Sequence, residues 1–222
     1  MAETPVSESR LNRRRASAKS EAGPAYEQRK DEFRQAAVRI FRRMGYRAAK
    51  VSDIAREAGT DRATFYYYYV NKQEVFQELV ATAVEQNVRE AERIAEQPGS
   101  AGDCLRCLVL ALMGSFEANY PHLYVFVQED MSTWSRSAKS TAAMETLNRR
   151  YEGAVHSILQ RGVDSGEFRP VSSVKVLVHG LIGMVSWTHR WYDPAGTLTA
   201  SEIAAAFSEL YINGISAEPH VG

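Results

Sequence analysis

A short segment that begins with Arg62, Ala63 and Thr64 carries side chains that could recognise the edges of nucleic-acid bases. An arginine can pair bidentately with a guanine, and a threonine offers a methyl group or a hydroxyl to a base or a phosphate. Small and polar groups of this kind must stand at the start of a helix that enters the major groove. The segment therefore predicts a recognition helix that begins at Arg62.

Four consecutive tyrosines, residues 66–69, follow at once. Side chains that are consecutive on a helix point about 100° apart, so the four rings cannot share one environment. Tyr69 lies one turn after Phe65, and we expect both in the core. Tyr67 and Tyr68 are expected to face outward, where phenol hydroxyls can bond phosphate oxygens. The alternative is that the rings serve only in packing.

The elements that would position these residues form a helix-turn-helix unit. Apolar residues at helical spacing predict a short helix over residues 51–58, which Gly59 ends. Asp61 suits the N-cap of a second short helix over residues 62–69. Lys72 stands at the start of the next, long helix. We predict that it binds a phosphate there, because a cation and a helix N-terminus both favour an anion.

The remainder of the chain also has the periodicity of helices, and no segment has the sustained alternation of a strand. The sequence therefore predicts an all-α fold. The last helix has an apolar face, and the segment Val174–Val185 is apolar nearly all round, which predicts a homodimer. Further helices are predicted over residues 100–119, 121–129, 137–163, 171–191 and 201–215.

The formal net charge is zero, but the charge is unevenly distributed. Residues 1–75 hold 16 lysines and arginines against 10 aspartates and glutamates, and the other residues hold 11 against 17. A basic N-terminal third on an acidic remainder favours a polyanion as partner for one end of the molecule. Residues 1–24 have the composition of a disordered segment, either a basic arm against DNA or a solubilising tail.

The sequence lacks the motifs of several other classes of protein. It has no Gly-x-Ser-x-Gly, no phosphate-binding glycine loop and no His-Glu-x-x-His, so we expect neither an enzyme, nor a cofactor, nor a metal site. Cys104 and Cys107 lie in an apolar helical run and are interpreted as packing residues. There is no apolar stretch of membrane-spanning length and no signal peptide, so we expect a cytoplasmic protein without a membrane partner.

Three stretches in order, Val51–Gly59 (VSDIAREAG), Asp61–Tyr66 (DRATFY) and Asn71–Glu74 (NKQE), resemble the signature of the TetR family of bacterial regulators. The resemblance covers about residues 30–80. It implies subunits that pair through their last two helices and a ligand pocket that controls the binding of an operator in double-stranded DNA. The candidate DNA-binding residues are Lys50, Ser52, Arg62, Ala63, Thr64, Tyr66, Tyr67, Tyr68 and Lys72.

Two positions depart from the family pattern. The family usually has threonine where Lys50 stands, capping the helix and bonding a phosphate. Lys50 cannot cap the helix but can still contact phosphate as a cation. The family often has histidine where Tyr68 stands, and tyrosine retains a tip that can form hydrogen bonds. The predicted domains are a helix-turn-helix domain, residues 25–72, and a ligand-binding and dimerisation domain, residues 73–216, followed by a short tail, residues 217–222.

The C-terminal part resembles a subgroup of the family that responds to acyl-coenzyme A thioesters and regulates fatty-acid or steroid-ring degradation. The resemblance rests on Trp187–Pro194, Gly196 and the segments Gln128–Asp130 and Gly166–Pro170. Aromatic residues could line an apolar pocket and an arginine could meet a negative group, the alternative being core packing. The candidate ligand-binding residues are Phe116, Tyr120, Tyr124, Trp134, Met144, Tyr151, Trp187 and Arg190.

The sequence thus predicts a ligand-responsive regulator, a repressor that binds a pseudo-palindromic operator as a homodimer and is released by a small hydrophobic effector. Two alternatives stay open at this point. One is a metal-sensing regulator, and the other is an interaction module with a vestigial DNA-binding head.

Overall fold

The computed structural model describes residues 23–123 and 138–217 of the chain. The predicted arm lies outside these residues except for Gly23 and Pro24, and Pro24 already begins the first helix. The predicted tail after residue 217 and most of the helix predicted over residues 121–129 also lie outside them. The chain divides into two compact units between Val80 and Ala81.

The N-terminal unit is built from α1 (Pro24–Met44), α2 (Val51–Glu57), α3 (Arg62–Tyr68) and the first part of α4 (Lys72–Ala95). Gly45 ends α1 with a φ of 76°, a conformation that favours glycine. The helices bury a compact set of apolar side chains that the periodicity of the sequence predicts. They include Phe33, Ile40, Phe41, Ile54, Phe65, Tyr69 and Phe76.

The C-terminal unit contains the rest of α4 and four further α-helices, with a 3₁₀ turn at Trp187–Arg190 between the last two. The most extensive packing joins the first and the last of these four helices. Apart from an isolated bridge between Phe168 and Ser216, the described residues contain no β-structure, which confirms the all-α prediction. The four helices are α5 (Ala101–Ala118), α6 (Ala138–Asp164), α7 (Val174–Ser186) and α8 (Ala200–Ile215).

Glu167 links the turn after α6 to the start of α5. Its two carboxylate oxygens accept the backbone N–H groups of Ala101 and Gly102, each at 2.7 Å. These are two of the N–H groups that a helix start leaves without an intrahelical acceptor. The next residue, Phe168, lies against Gly162 of α6, where any side chain would collide with its ring.

Two details differ from the sequence interpretation. The helix predicted over residues 171–191 begins only at Val174 and ends at Ser186. Cys104 is buried, as expected of a packing residue, and its Sγ accepts a hydrogen bond from Arg161 Nη2 at 3.0 Å. Cys107 is exposed, so its interpretation as a packing residue is wrong. Three positions on a helix amount to a net rotation of about 60°, which places Cys107 beyond the edge of the buried face, beside the exposed Arg106 and Leu110.

Candidate functional site

A tight turn joins α2 to α3. Gly59 has a φ of 68°, in the left-handed region that favours glycine, and the N–H of Thr60 donates to the carbonyl of Ala55 at 2.9 Å. Asp61 Oδ1 then accepts the N–H of Thr64 at 2.7 Å and caps α3, and this hydrogen bond lowers the pKa of the Asp61 carboxyl. The backbone itself therefore fixes where α3 begins.

The packing of α3 determines which of its side chains face solvent. Phe65 and Tyr69, one turn apart, are both 0% exposed, which confirms their predicted place in the core. Of the predicted DNA contacts on this helix, Arg62, Ala63 and Tyr67 are exposed, and Thr64, Tyr66 and Tyr68 are half-buried.

Arg62 is held by the residue one turn further along α3. Its Nη2 donates to the hydroxyl of Tyr66 at 3.1 Å, and its guanidinium carbon lies 5.7 Å from the centroid of the Tyr66 ring. A guanidinium has five N–H donors, so this contact leaves enough of them for a bidentate pair with an acceptor such as guanine. The arginine is thus oriented before any partner binds.

The sequence predicts that Tyr68 faces outward, and this prediction is wrong. Its ring packs 4.9 Å from that of Tyr26 and 5.5 Å from that of Phe33, and burial raises the pKa of its phenol. Tyr67 is 37% exposed and contacts the same cluster by its edge. The reason is the start of α1, where Tyr26 offers an aromatic surface that the periodicity of α3 alone does not indicate.

Lys50 and Ser52 stand at the start of α2. The Lys50 side chain makes no capping hydrogen bond, as the sequence predicts. The hydrogen bond at this helix start comes from Asp53 instead, whose Oδ2 accepts the backbone N–H of Lys50 at 3.0 Å. The ammonium group of Lys50 is exposed, and the Ser52 side chain is half-buried in the first turn.

Lys72 has surroundings that its sequence position does not suggest. Its ammonium donates to the carbonyl oxygens of Tyr46 at 2.7 Å, Arg47 at 3.1 Å and Ala49 at 2.7 Å, and it lies 4.7 Å from the centroid of the Tyr46 ring. Burial lowers the pKa of the amine. All three protons are used to tie α4 to the segment between α1 and α2, so the predicted phosphate contact would have to break an intramolecular site.

A partly buried polar cluster, which the sequence interpretation missed, links α1, α4 and the end of α3 in the N-terminal unit. The hydroxyl of Tyr69 donates to Glu78 at 2.9 Å, and the same carboxylate accepts Lys30 at 2.5 Å and Arg34 at 3.3 Å. Burial and the neighbouring carboxylate raise the pKa of the Tyr69 phenol. The spacing of Lys30 and Arg34, four residues apart on α1, was the signal that could have indicated a shared acidic partner.

The C-terminal unit contains a cavity of about 250 Å³ between α4, α5, α6 and α7. Each helix contributes residues one turn apart, so the cavity lies between four packed helices, and it is open to solvent on the side of Asn148. Its apolar wall consists of Val84, Leu112, Phe116, Ile182 and the ring of Tyr151. Its polar groups are Asn87, Asn148, Glu152, Ser186 and the hydroxyl of Tyr151.

Two of the predicted ligand-binding residues, Phe116 and Tyr151, line this cavity. Burial raises the pKa of the Tyr151 phenol. Tyr120 and Met144 are half-buried outside its wall, and Tyr124 and Trp134 lie outside the described residues.

Trp187 and Arg190 do not reach the cavity. They stack on each other in the 3₁₀ turn, with the guanidinium 5.3 Å from the ring centroid, and the Trp187 side chain is 59% exposed in the isolated chain. The 3₁₀ turn follows directly after Ser186. A 3₁₀ helix is wound more tightly than an α-helix and rises more per residue, and both side chains therefore point away from the cavity.

Comparison with known families identifies both units. Residues 33–79 match the model of the bacterial regulatory proteins of the tetR family, and residues 98–215 match the tetracyclin repressor-like C-terminal domain. The chain belongs to the TetR family. It is therefore a DNA-binding transcriptional regulator with a helix-turn-helix formed by α2 and α3, and its family is one of regulators rather than enzymes.

Individual relatives agree with this assignment. The chain is similar to the HTH-type transcriptional repressor KstR2 of Mycolicibacterium smegmatis, 29% identical over 85% of this chain and 91% of the relative. Among solved structures, the TetR-family regulator PfmR of Thermus thermophilus is 29% identical with a TM-score of 0.72, over 82% of this chain and 97% of that one. AibR in complex with isovaleryl coenzyme A and operator DNA shares the fold, with 18% identity and a TM-score of 0.67 over 82% and 97% of the two chains.

Two further features of the TetR-family chain bear on other classes of site. Within residues 23–123 and 138–217, no three His, Cys, Asp or Glu side chains come together as a metal site would require. None of the helices in these ranges combines the length and apolar composition of a membrane span.

Proposed function

We propose that this chain is a homodimeric repressor that binds a pseudo-palindromic operator through α3 and is released by an acyl-coenzyme A thioester. The observation that carries the proposal is the pairing of an operator-reading head with a cavity in a separate unit of the same chain. The similar protein from Mycolicibacterium smegmatis is a repressor by name, and AibR, which has the same fold, was solved with both an acyl-coenzyme A and operator DNA. Such a repressor works in the compartment that holds the DNA.

On the DNA side, Arg62 would read a base edge in the major groove. Thr64, Tyr66 and Tyr67 would contact base or phosphate from the same helix, and Lys50 would approach a phosphate from α2. Phosphate contacts of this kind fix the register of the protein on the duplex but carry no sequence information. Sequence preference would therefore depend on Arg62 more than on the other candidates.

On the effector side, the acyl group would occupy the cavity against Phe116 and Tyr151, and the coenzyme would remain outside it. A cavity of about 250 Å³ lies below the common size of drug-sized pockets and suits a compact acyl group better than a whole thioester. The thioester releases DNA only if it binds the DNA-incompetent conformation more tightly than the DNA-bound one.

A homodimer would place two heads on the two half-sites of an inverted repeat. Two stripes at helical spacing are exposed in the isolated chain. The stripe on α7 comprises Val176, Gly180, Gly183 and the Trp187 that follows, and the stripe on α8 comprises Ala206, Leu210 and Gly214. Apolar and glycine surfaces of this kind allow helices of two subunits to approach closely.

The test is a DNA-release titration. The operator is first selected from randomised DNA by the purified protein, labelled, and bound by it. Isovaleryl-, cyclohexanecarbonyl- and octanoyl-coenzyme A are then compared with the free acids and with free coenzyme A. We expect release by at least one thioester at a concentration that leaves the acid and coenzyme A without effect. Release by free acids alone would indicate a sensor of simple lipophiles. A lack of release by these thioesters and by hydroxylated ones would refute the effector class.

A further inference from the structure

The cavity between α4, α5, α6 and α7 has hydrogen-bonding groups that nothing in the described chain uses. The side chains of Asn87, Asn148, Tyr151, Glu152 and Ser186 line it, and none of them has a hydrogen bond or ion pair with another described residue. Asn148 is exposed and the other four residues are half-buried, so water reaches their polar groups. A ligand that displaces this water without replacing its hydrogen bonds loses affinity. The cavity therefore has the chemistry of a site for a ligand that is itself partly polar.

Glu152 carries the only formal charge among the described residues that line the cavity. The arginines of the same helix are used elsewhere, since Arg150 bonds Glu92 through two nitrogens at 2.9 and 2.7 Å and Arg149 lies beside Thr146 and Glu145. A carboxylate without a neighbouring cation repels the phosphates of coenzyme A and the carboxylate of a free acid. Only an uncharged part of the effector can lie beside it.

An ionised carboxylate accepts hydrogen bonds and donates none. An effector that satisfies Glu152 must therefore present a donor, and the donor that an uncharged acyl group carries most simply is a hydroxyl. The opposite wall is apolar, with Val84, Leu112 and Phe116, and it continues into two voids of about 10 Å³ each beside Tyr151. The cavity thus has an apolar wall for a carbon skeleton and a polar side for an oxygen substituent.

We propose that the effector is a thioester whose compact acyl group bears a hydroxyl, and that Glu152 accepts a hydrogen bond from this hydroxyl and selects hydroxylated over unsubstituted acyl groups. Asn87, Asn148 and Ser186 then supply further donors and acceptors around the same substituent. This inference rests on the proposed function, because it specifies the acyl group of the effector proposed above. A site built to bond a substrate hydroxyl discriminates strongly against the analogue that lacks it, because its own polar groups are then left unpaired.

The experiment compares cyclohexanecarbonyl-coenzyme A with its 2-, 3- and 4-hydroxy derivatives, which keep one carbon skeleton and move one hydroxyl. Binding to the free dimer is measured by calorimetry, and operator release by the titration described above. We expect at least one hydroxylated isomer to bind about tenfold or more tightly than the parent thioester. Glu152→Leu should remove this preference and Glu152→Gln should retain part of it, because the amide still offers an acceptor oxygen.

Glu145→Leu is the matched control, since Glu145 lies on the same helix outside the cavity and should leave the preference unchanged. Thermal unfolding of each variant shows whether it is folded. Equal binding of parent and hydroxylated thioesters by the wild-type protein, or a preference that survives in both Glu152 variants, would overturn the inference and leave the proposed function intact. Failure of all thioesters to bind or release DNA would overturn both. Tight, Glu152-dependent binding of a lipophilic cation such as tetraphenylphosphonium, without binding of thioesters, would assign the carboxylate to a different ligand class.

Discussion

At the scale of single residues, Arg62 is the side chain on which sequence preference should depend. It is exposed at the first position of α3 and oriented by the Tyr66 hydroxyl. Arg62→Ala should weaken operator binding by about 1–3 kcal/mol and relax the preference at one base pair per half-site. Binding to a library of operator variants measures both effects. Arg89→Ala, an exposed arginine of α4 paired with Glu85, serves as the control, and a uniform loss of affinity across the library in Arg62→Ala would argue against base readout.

Lys72 leads to a different prediction, because its ammonium already bonds three carbonyl oxygens. Lys72→Met keeps the length of the side chain but removes these bonds, so it should lower the free energy of unfolding by about 1–3 kcal/mol. The slope of log affinity against log salt should equal that of the wild-type protein, since no phosphate contact is lost. Thermal unfolding and a salt titration of DNA binding test this. Unchanged stability with a smaller salt slope would restore the phosphate contact that the sequence predicts.

At the scale of elements, the start of α5 depends on a side chain from a distant turn. Glu167 accepts two N–H groups of that helix start, and its negative charge lies at the positive end of the helix dipole. Glu167→Ala should reduce stability by about 1.5–3 kcal/mol, with Glu167→Gln less affected because one acceptor oxygen remains. Chemical denaturation measures both, and Glu209→Ala, an exposed residue of α8, should have little effect. Equal stability of Glu167→Ala and wild-type protein would contradict this role.

The helix-turn-helix formed by α2 and α3 shows how the placement of a helix determines which of its side chains are exposed. Asp61 and Gly59 fix the beginning of α3, and the burial of Phe65 and Tyr69 then fixes its rotation. Once the rotation is set, Arg62 must face solvent and the Tyr68 ring must pack near Tyr26. The exposed set of side chains is thus a consequence of two buried ones.

At the scale of the whole molecule, the exposed stripes of α7 and α8 predict the oligomeric state. Leu210 is 68% exposed in the isolated chain and lies in a stripe with exposed alanine and glycine. A continuous apolar surface of this kind is typical of a protein–protein interface. We expect sedimentation of a dimer at micromolar concentration and of a monomer for Leu210→Glu, with loss of affinity for the full inverted repeat. Leu110→Glu, on α5 and 50% exposed, is the control that should remain dimeric. A wild-type monomer at that concentration would refute the dimer.

The sequence by itself determined the helices, the turn and the family. Apolar spacing locates α1 to α8 to within a few residues, because a helix that packs on one side repeats its apolar positions locally. Gly59 and Asp61 mark the turn, because the left-handed backbone conformation favours glycine and a helix N-cap favours a short polar side chain such as aspartate. The ordered motifs of residues 51–74 indicated the TetR family, and the comparisons confirmed it.

Tertiary structure alone decided which side chains meet across the chain. Lys72 bonds carbonyl groups more than twenty residues away, and Tyr68 meets a ring at the start of α1. Of the suggested aromatic residues that the structure describes, the cavity takes only Phe116 and Tyr151, and it adds Asn87 and Glu152. A pattern along one helix reports which face is buried but not which partner covers it. A cavity is the space that remains after four helices have packed, so its wall depends on contacts between residues far apart in the sequence.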